Sequence, residues 1–159
     1  MSWPETTLDT IDQLHVMAGV LSGVAVTEVH LDAPFEEVWA FVEDIGRSAV
    51  TIDPLLAEVR VTERDGTHWK GKVRPRFLPL WLPLDIEMNE GLCWMQARAP
   101  LRRLQYVGMA AVADPAGGTR YGHLEGVDVP GGRYLRGLFR RMIALDAQGI
   151  GRVFGTSDR

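Results

Sequence analysis

The spacing of apolar residues changes twice along the chain, giving a helical start, a long alternating middle and a helical end. Near the start, Leu8, Ile11, Leu14, Met17, Ala18 and Leu21 fall on one helical stripe, with Thr6 and Asp9 spaced as a weak capping pair. Ser22-Gly23 ends that stripe, and VAVTEVHL (Val24–Leu31) reads as a strand. The segment LDAPFEEVWAFVEDIG that follows reads as a helix entered through a proline. Pro34 forfeits no hydrogen bond in a first turn, and Asp32 is placed to cap it. Glu36 and Glu37 sit where the helix dipole favours negative charge. Phe35, Val38, Trp39 and Val42 repeat at i, i+3, i+4, i+7, so this helix buries one face. Residues 46–54 then read as a turn and a short second helix or coil, closed by Pro54.

From Ala57 onward the period becomes two. Residues 57–63 and 67–74 flank Arg64-Asp65-Gly66; residues 84–90 and 92–98 flank Gly91; residues 104–114 and 119–129 flank the turn Pro115-Ala116-Gly117-Gly118. With the first strand these three hairpins predict an antiparallel meander of about seven strands. After Gly131-Gly132, helical spacing returns in Leu135, Leu138, Met142, Leu145, Gly149 and Val153, with Phe139 and Ile143 beside them. Arg133, Arg136, Arg140 and Arg141 lie largely off that stripe. About 22 helical residues would span roughly 33 Å, enough to cross a whole sheet. Gly149 and Gly151 predict a bend in it. A sheet with one long helix laid over its concave side leaves room for a small apolar molecule.

Charge and composition narrow the function. At 159 residues the chain is long enough for one well-buried domain, and its net charge of −4 argues against a nucleic-acid binder. A single cysteine, Cys93, excludes an internal disulfide framework and points to a reducing cytoplasm; with no base partner in view it reads as a buried structural thiol. The start carries no secretion signal and no apolar run is long enough to span a bilayer, so stable membrane insertion is not expected. The four histidines and one cysteine show no metal-ligand spacing, no glycine-rich phosphate loop follows a strand, and no cofactor is implied.

The entry Asp32-Ala33-Pro34 … Glu37-Val38-Trp39 with Asp44 closing the helix resembles the START/Bet v1-like (SRPBCC) superfamily, in its polyketide cyclase/dehydrase and lipid-transport branch. The turn Asp114-Pro115-Ala116-Gly117-Gly118-Thr119-Arg120, then His123-Leu124-Glu125 ahead of Gly131 and the apolar terminal helix, agree in order and spacing. The resemblance implies an α+β helix-grip fold around an internal apolar cavity. A curved antiparallel sheet would wrap the C-terminal helix, with two short helices after the first strand. Residues 24–156 would form that ligand-binding domain, and residues 1–23 a helical extension. Two features depart from the family pattern: the leading helix and the proline-rich insert PRFLPLWLPL after Arg74.

Strand alternation assigns the faces. Trp69, Val73, Ile86, Met88, Tyr121 and Val127 are expected to point inward, with Trp39, Trp94, Leu138 and Met142 completing an apolar ligand-binding wall. His123 and Glu125 share the face of Tyr121 and Val127, and Tyr106 is expected opposite them. A histidine beside a carboxylate in an apolar chamber could move a proton from a carbon next to a carbonyl while a tyrosine steadies the enolate. The same pair also reads as a satisfied polar residue and a carboxylate paired elsewhere, so two functions stay open. One is a carrier of a small hydrophobic ligand (a lipid, polyketide or aromatic metabolite). The other is a cofactor-free cyclase/dehydratase using His123, Glu125 and Tyr106. His30 and Glu28 share a face of the first strand and are expected to be exposed; His15 reads as surface or structural. The insert, with Phe77, Leu78, Leu80, Trp81 and Leu82, reads as packing for a long connection, a portal, or a homodimer contact running from Phe77 to Leu82.

Overall fold

The computed structural model describes residues 7–99 and 103–156. Its elements follow the chain as α1 (Thr10–Val20), β1 (Val24–Leu31), α2 (Phe35–Glu43), α3 (Ile45–Ile52), β2 (Leu56–Asp65), β3 (His68–Pro75), β4 (Leu82–Asn89), β5 (Leu92–Ala99), β6 (Arg103–Ala113), β7 (Thr119–Asp128), a short 3₁₀ turn (Gly132–Leu135) and α4 (Arg136–Phe154). The seven strands form one antiparallel sheet in the order β1-β7-β6-β5-β4-β3-β2. Five hairpin connections build the run from β2 to β7, and β1 then closes against β7, pairing Thr27 with His123 and Ala25 with Glu125. This is the α+β helix-grip architecture, with α2, α3 and α4 on the inner face of the sheet.

Two helix ends differ from their sequence reading. Pro34 is the N-cap of α2 and makes no side-chain capping bond, so the helix begins at Phe35 and Asp32 is not its cap. At α1 the cap is Asp9, whose Oδ1 accepts from the Asp12 amide; Thr6 lies outside the described residues. Only Ile11 and Leu14 of the α1 stripe are fully buried, while Leu8 and Met17 are exposed.

The buried face of α4 is rotated from the expected one. Phe139, Ile143, Asp146 and Ile150 face the sheet, whereas Leu135, Leu138, Leu145 and Val153 are exposed. The helix runs unbroken through Gly149 and Gly151 to Phe154. Gly149 serves a close approach instead: a Cβ there would lie 2.9 Å from the Ile52 carbonyl oxygen. The crossing of α4 on the end of α3 therefore depends on the missing side chain. Gly149→Leu is expected to pry the two helices apart and lower unfolding free energy by about 1–3 kcal/mol in urea titrations; an unchanged midpoint would show that the contact is slack.

The outer face of the sheet carries its own small core. Gly108, Ala110 and Gly122 leave a furrow for Leu14 and Ile11 of α1; a Cβ on Gly108 would come within 2.7 Å of Leu14. Tyr106, Leu124 and Val24 line the same furrow. Arg120 fastens the helix by pairing with Asp9 and Glu28, and Glu28 also meets His15 at 2.6 Å. Glu28 thus belongs to an outer ion network. His30 is not freely exposed: its Nε2 lies 2.9 Å from the Gly117 carbonyl and 3.3 Å from Asp114, holding the last hairpin turn. In the proline-rich insert, Trp81 lies beneath Arg60, Lys72 and Arg74, each within 5.6 Å of its ring centre, while Phe77 stays exposed. That cationic row anchors the connection to the sheet.

Candidate functional site

The inner face of β7 sends Tyr121, His123 and Glu125 into the interior at alternate positions, and α4 sends Asp146 toward them from above. His123, Glu125 and Asp146 are 3%, 1% and 2% exposed, so this is a cluster of ionisable groups cut off from water. His123 Nε2 lies 3.2 Å from Asp146 Oδ2, and its Nδ1 lies 3.3 Å from the Tyr121 hydroxyl. The amide of Gln105, on β6, donates to Glu125 Oε1 at 3.2 Å. Burial, reinforced by the charges of Asp53 and Asp146, pushes the Glu125 carboxyl well above the usual range despite the Gln105 bond. A carboxyl in that position is neutral unless a compensating positive charge stands beside it.

Asp53 terminates α3, where its Oδ1 accepts the Leu55 amide at 2.8 Å. Burial raises its carboxyl to about 6, the Leu55 bond opposing and Asp146 adding to the rise. Unlike the other acids, Asp53 faces a cleft. That cleft lies between α3 and the inner face of β2–β6, walled by Ala49, Val59, Val73, Leu84, Met95, Ala97 and Val107, with Gln105 at its inner end. Its cavity volume is about 40 Å³, and part of it opens to solvent. Pro75 and Leu82, which bound the β3–β4 connection, also line it.

His123 and Glu125 therefore stand together, as alternation along β7 implied, but Tyr106 does not join them. Tyr106 pairs with Gly126 and shares the outer face with Leu124, where its ring packs 5.5 Å from Trp94 under α1. Gly126 and Glu125 are neighbours on one strand and must point to opposite sides, which decides the matter. The tyrosine beside His123 is Tyr121, whose hydroxyl burial holds far above its ordinary pKa. Trp94, paired with Glu87 and Gly108, is likewise on the outer face. Of the expected apolar wall, Val73 lines the cleft. Trp39, Ile86, Met88 and Tyr121 are packed in the main core, and Trp69, half-buried against it, donates its indole N–H to the Gly66 carbonyl. Val127 and Met142 pack against Phe139 and Ile143, and Leu138 is 55% exposed because α4 turns it to solvent. Cys93 is fully buried, with its thiol pushed up to about 12 by burial, which leaves it unreactive.

Asp146 and Asp53 went unnoticed in the sequence. Asp146 has a readable signal, an acid at i+7 in the stripe Phe139, Ile143, Asp146, Ile150. Asp53 has none, since an aspartate before proline is ordinary turn chemistry.

No family model matches the chain, and no curated protein matches it. Solved structures do. The Zhui aromatase/cyclase from Streptomyces sp. R1128 is 12% identical, with a TM-score of 0.59 over 83% of this chain and 96% of that one. The di-domain aromatase/cyclase BexL from the BE-7585A biosynthetic pathway is 13% identical, with a TM-score of 0.60 over 85% of this chain and 50% of that one. A protein from Thermus thermophilus, TTHA0849, is 12% identical, with a TM-score of 0.59 over 81% of this chain and 94% of that one. At such identities the likeness is one of fold.

Proposed function

For a chain with the helix-grip fold of the START/Bet v1-like superfamily, we propose that the cleft binds a small apolar molecule bearing a carbonyl group and moves a proton on it, as a cyclase or dehydratase does. One observation carries this reading: Gln105 is at once a wall of the apolar cleft and the donor to Glu125, so the cleft ends on the buried ionisable cluster. Asp53, facing the cleft with a carboxyl near 6, is ionised at neutral pH yet basic enough to take a proton from a carbon next to a carbonyl. The His123 cluster lies deeper, and Gln105, which lines the cleft and donates to Glu125, links it to the carbonyl oxygen on which negative charge then develops. Tyr121 holds the imidazole orientation, a positioning role. The names of the Zhui and BexL neighbours, both aromatase/cyclases, support the same class. Incubation of the purified protein with a β-dicarbonyl that undergoes aldol closure tests it: Asp53→Asn is expected to slow conversion about 10²–10⁴-fold, and equal rates in parent and variant would sink the assignment.

A carrier without chemistry is the second reading, favoured by the apolar walls Val59, Leu84, Met95 and Val107. Both readings require the cleft to be the ligand site. Ala97→Phe, which fills its wall, is expected to weaken ligand binding at least about tenfold, as native mass spectrometry of a co-purified molecule would show; retention of the ligand at parental strength would place the site elsewhere.

A further inference from the structure

We infer that His123, Glu125 and Asp146 form a site for one divalent transition-metal cation at the closed end of the cleft. One imidazole nitrogen and two carboxylate oxygens lie within 4.8 Å of one another there. Ligands bound at roughly 2.0–2.2 Å in a tetrahedral set sit about 3.3–3.6 Å apart, so side-chain rotation that brings the outer donors together by about 1 Å closes the set.

Two atoms in this cluster need a partner. Glu125 Oε2 and Asp146 Oδ2 are both buried and accept no hydrogen bond. His123 Nε2 lies 3.2 Å from Asp146 Oδ2, and the nearby charge of Asp53 makes the region more negative still. A buried polar oxygen left bare is costly, and a cation between the two would satisfy both at once. The surroundings fit as well. Tyr121 contacts the far ring nitrogen of His123, and Gln105 donates to the other oxygen of Glu125, the outer hydrogen bonds that orient metal-binding side chains. Gln105 lines the cleft and donates to Glu125, so the cluster lies one side chain behind it.

One nitrogen with two carboxylate oxygens favours zinc, manganese or ferrous iron over magnesium or calcium, which prefer oxygen alone. Three protein ligands leave a fourth position for a further oxygen donor. There a carbonyl oxygen would be polarised by the ion while Asp53, outside the ligand set, remains free to take the proton. That catalytic role rests on the function proposed above; the metal site itself rests on the donor geometry alone.

The experiment is titration of the chelator-treated full-length protein with zinc chloride and manganese chloride, followed calorimetrically and by melting temperature, with magnesium chloride as control. One zinc per chain is expected, raising the melting temperature, with no response to magnesium. Glu125→Gln and Asp146→Asn, both close in shape to the parent residue, should each weaken zinc binding at least about tenfold while the far-ultraviolet circular dichroism stays unchanged. Absence of stoichiometric zinc or manganese binding overturns the site, as does parental affinity in both variants, which would put the ion on surface histidines. The two proposals separate cleanly: zinc binding without turnover removes the enzyme and leaves the metal site. Equal turnover by metal-free and zinc-loaded protein removes the ion's part in catalysis and leaves the Asp53 reading.

Discussion

His123→Ala is expected to reduce conversion of a β-dicarbonyl substrate by about 10²–10⁴-fold while its binding changes by no more than a few-fold. The asymmetry follows from where the residue sits. Affinity comes from the apolar walls on α3 and β2–β6, which His123 does not line. The imidazole lies against Asp146 and Tyr121, away from the cleft walls, so in the proposed reaction it would act through the cluster and not by holding the ligand. Removing it also takes away the imidazole nitrogen 3.2 Å from Asp146 Oδ2, so a melting-temperature measurement belongs beside the rate. His123→Gln, which keeps a polar group near Asp146, is the folding control and should be as inactive. If substrate affinity collapses with the rate, His123 is part of the binding wall; if neither changes, the cluster is structural.

The parts of this molecule that could be read from sequence are those fixed by local spacing. Period-two alternation with glycine turns placed all seven strands, since β2 to β7 each pair with a sequence neighbour, and β1 alternates too although it pairs with the distant β7. The same alternation put His123 and Glu125 on one face with Tyr121. What failed was whatever depended on rotation or on which layer covers a face. The terminal helix offers two adjacent apolar stripes, and counting leucines picked the one that lies exposed; the stripe with Phe139 and Ile143 won because it also carries the acid that answers His123. Tyr106 and Trp94 looked like cavity aromatics because a sheet with a polar outside would have no other use for them. Helix α1 supplies that use by covering the outer face, and strand parity then leaves Tyr106 no route inward. Asp53 joins the site only through the close crossing at Gly149, a contact between residues 52 and 149 that no local pattern encodes.

Stability of the chelator-treated protein should fall, not rise, as pH is raised from about 4 to about 8. The group behind this is Asp53, whose carboxyl burial lifts from 3.8 to about 6 in the folded chain. Between those two values the folded state holds a proton that the unfolded state has released. Since the unfolded state then binds fewer protons, the slope of unfolding free energy against pH is negative. The stability is fully present below the lower value, is lost through the window, and stays lost above about 6. A shift of this size corresponds to about 3 kcal/mol at most. Glu125, displaced in the same direction by burial and by the charges of Asp53 and Asp146, extends the decline to higher pH. Asp53→Asn keeps the oxygen that accepts the Leu55 amide and removes the proton equilibrium. Relative to the parent it should gain about 2–3 kcal/mol in urea unfolding between the acid and alkaline ends of the series. A parental profile that rises with pH, with Asp53→Asn parallel to it, would mean that the Asp53 carboxylate is solvated after all, and the cleft would then lose its base.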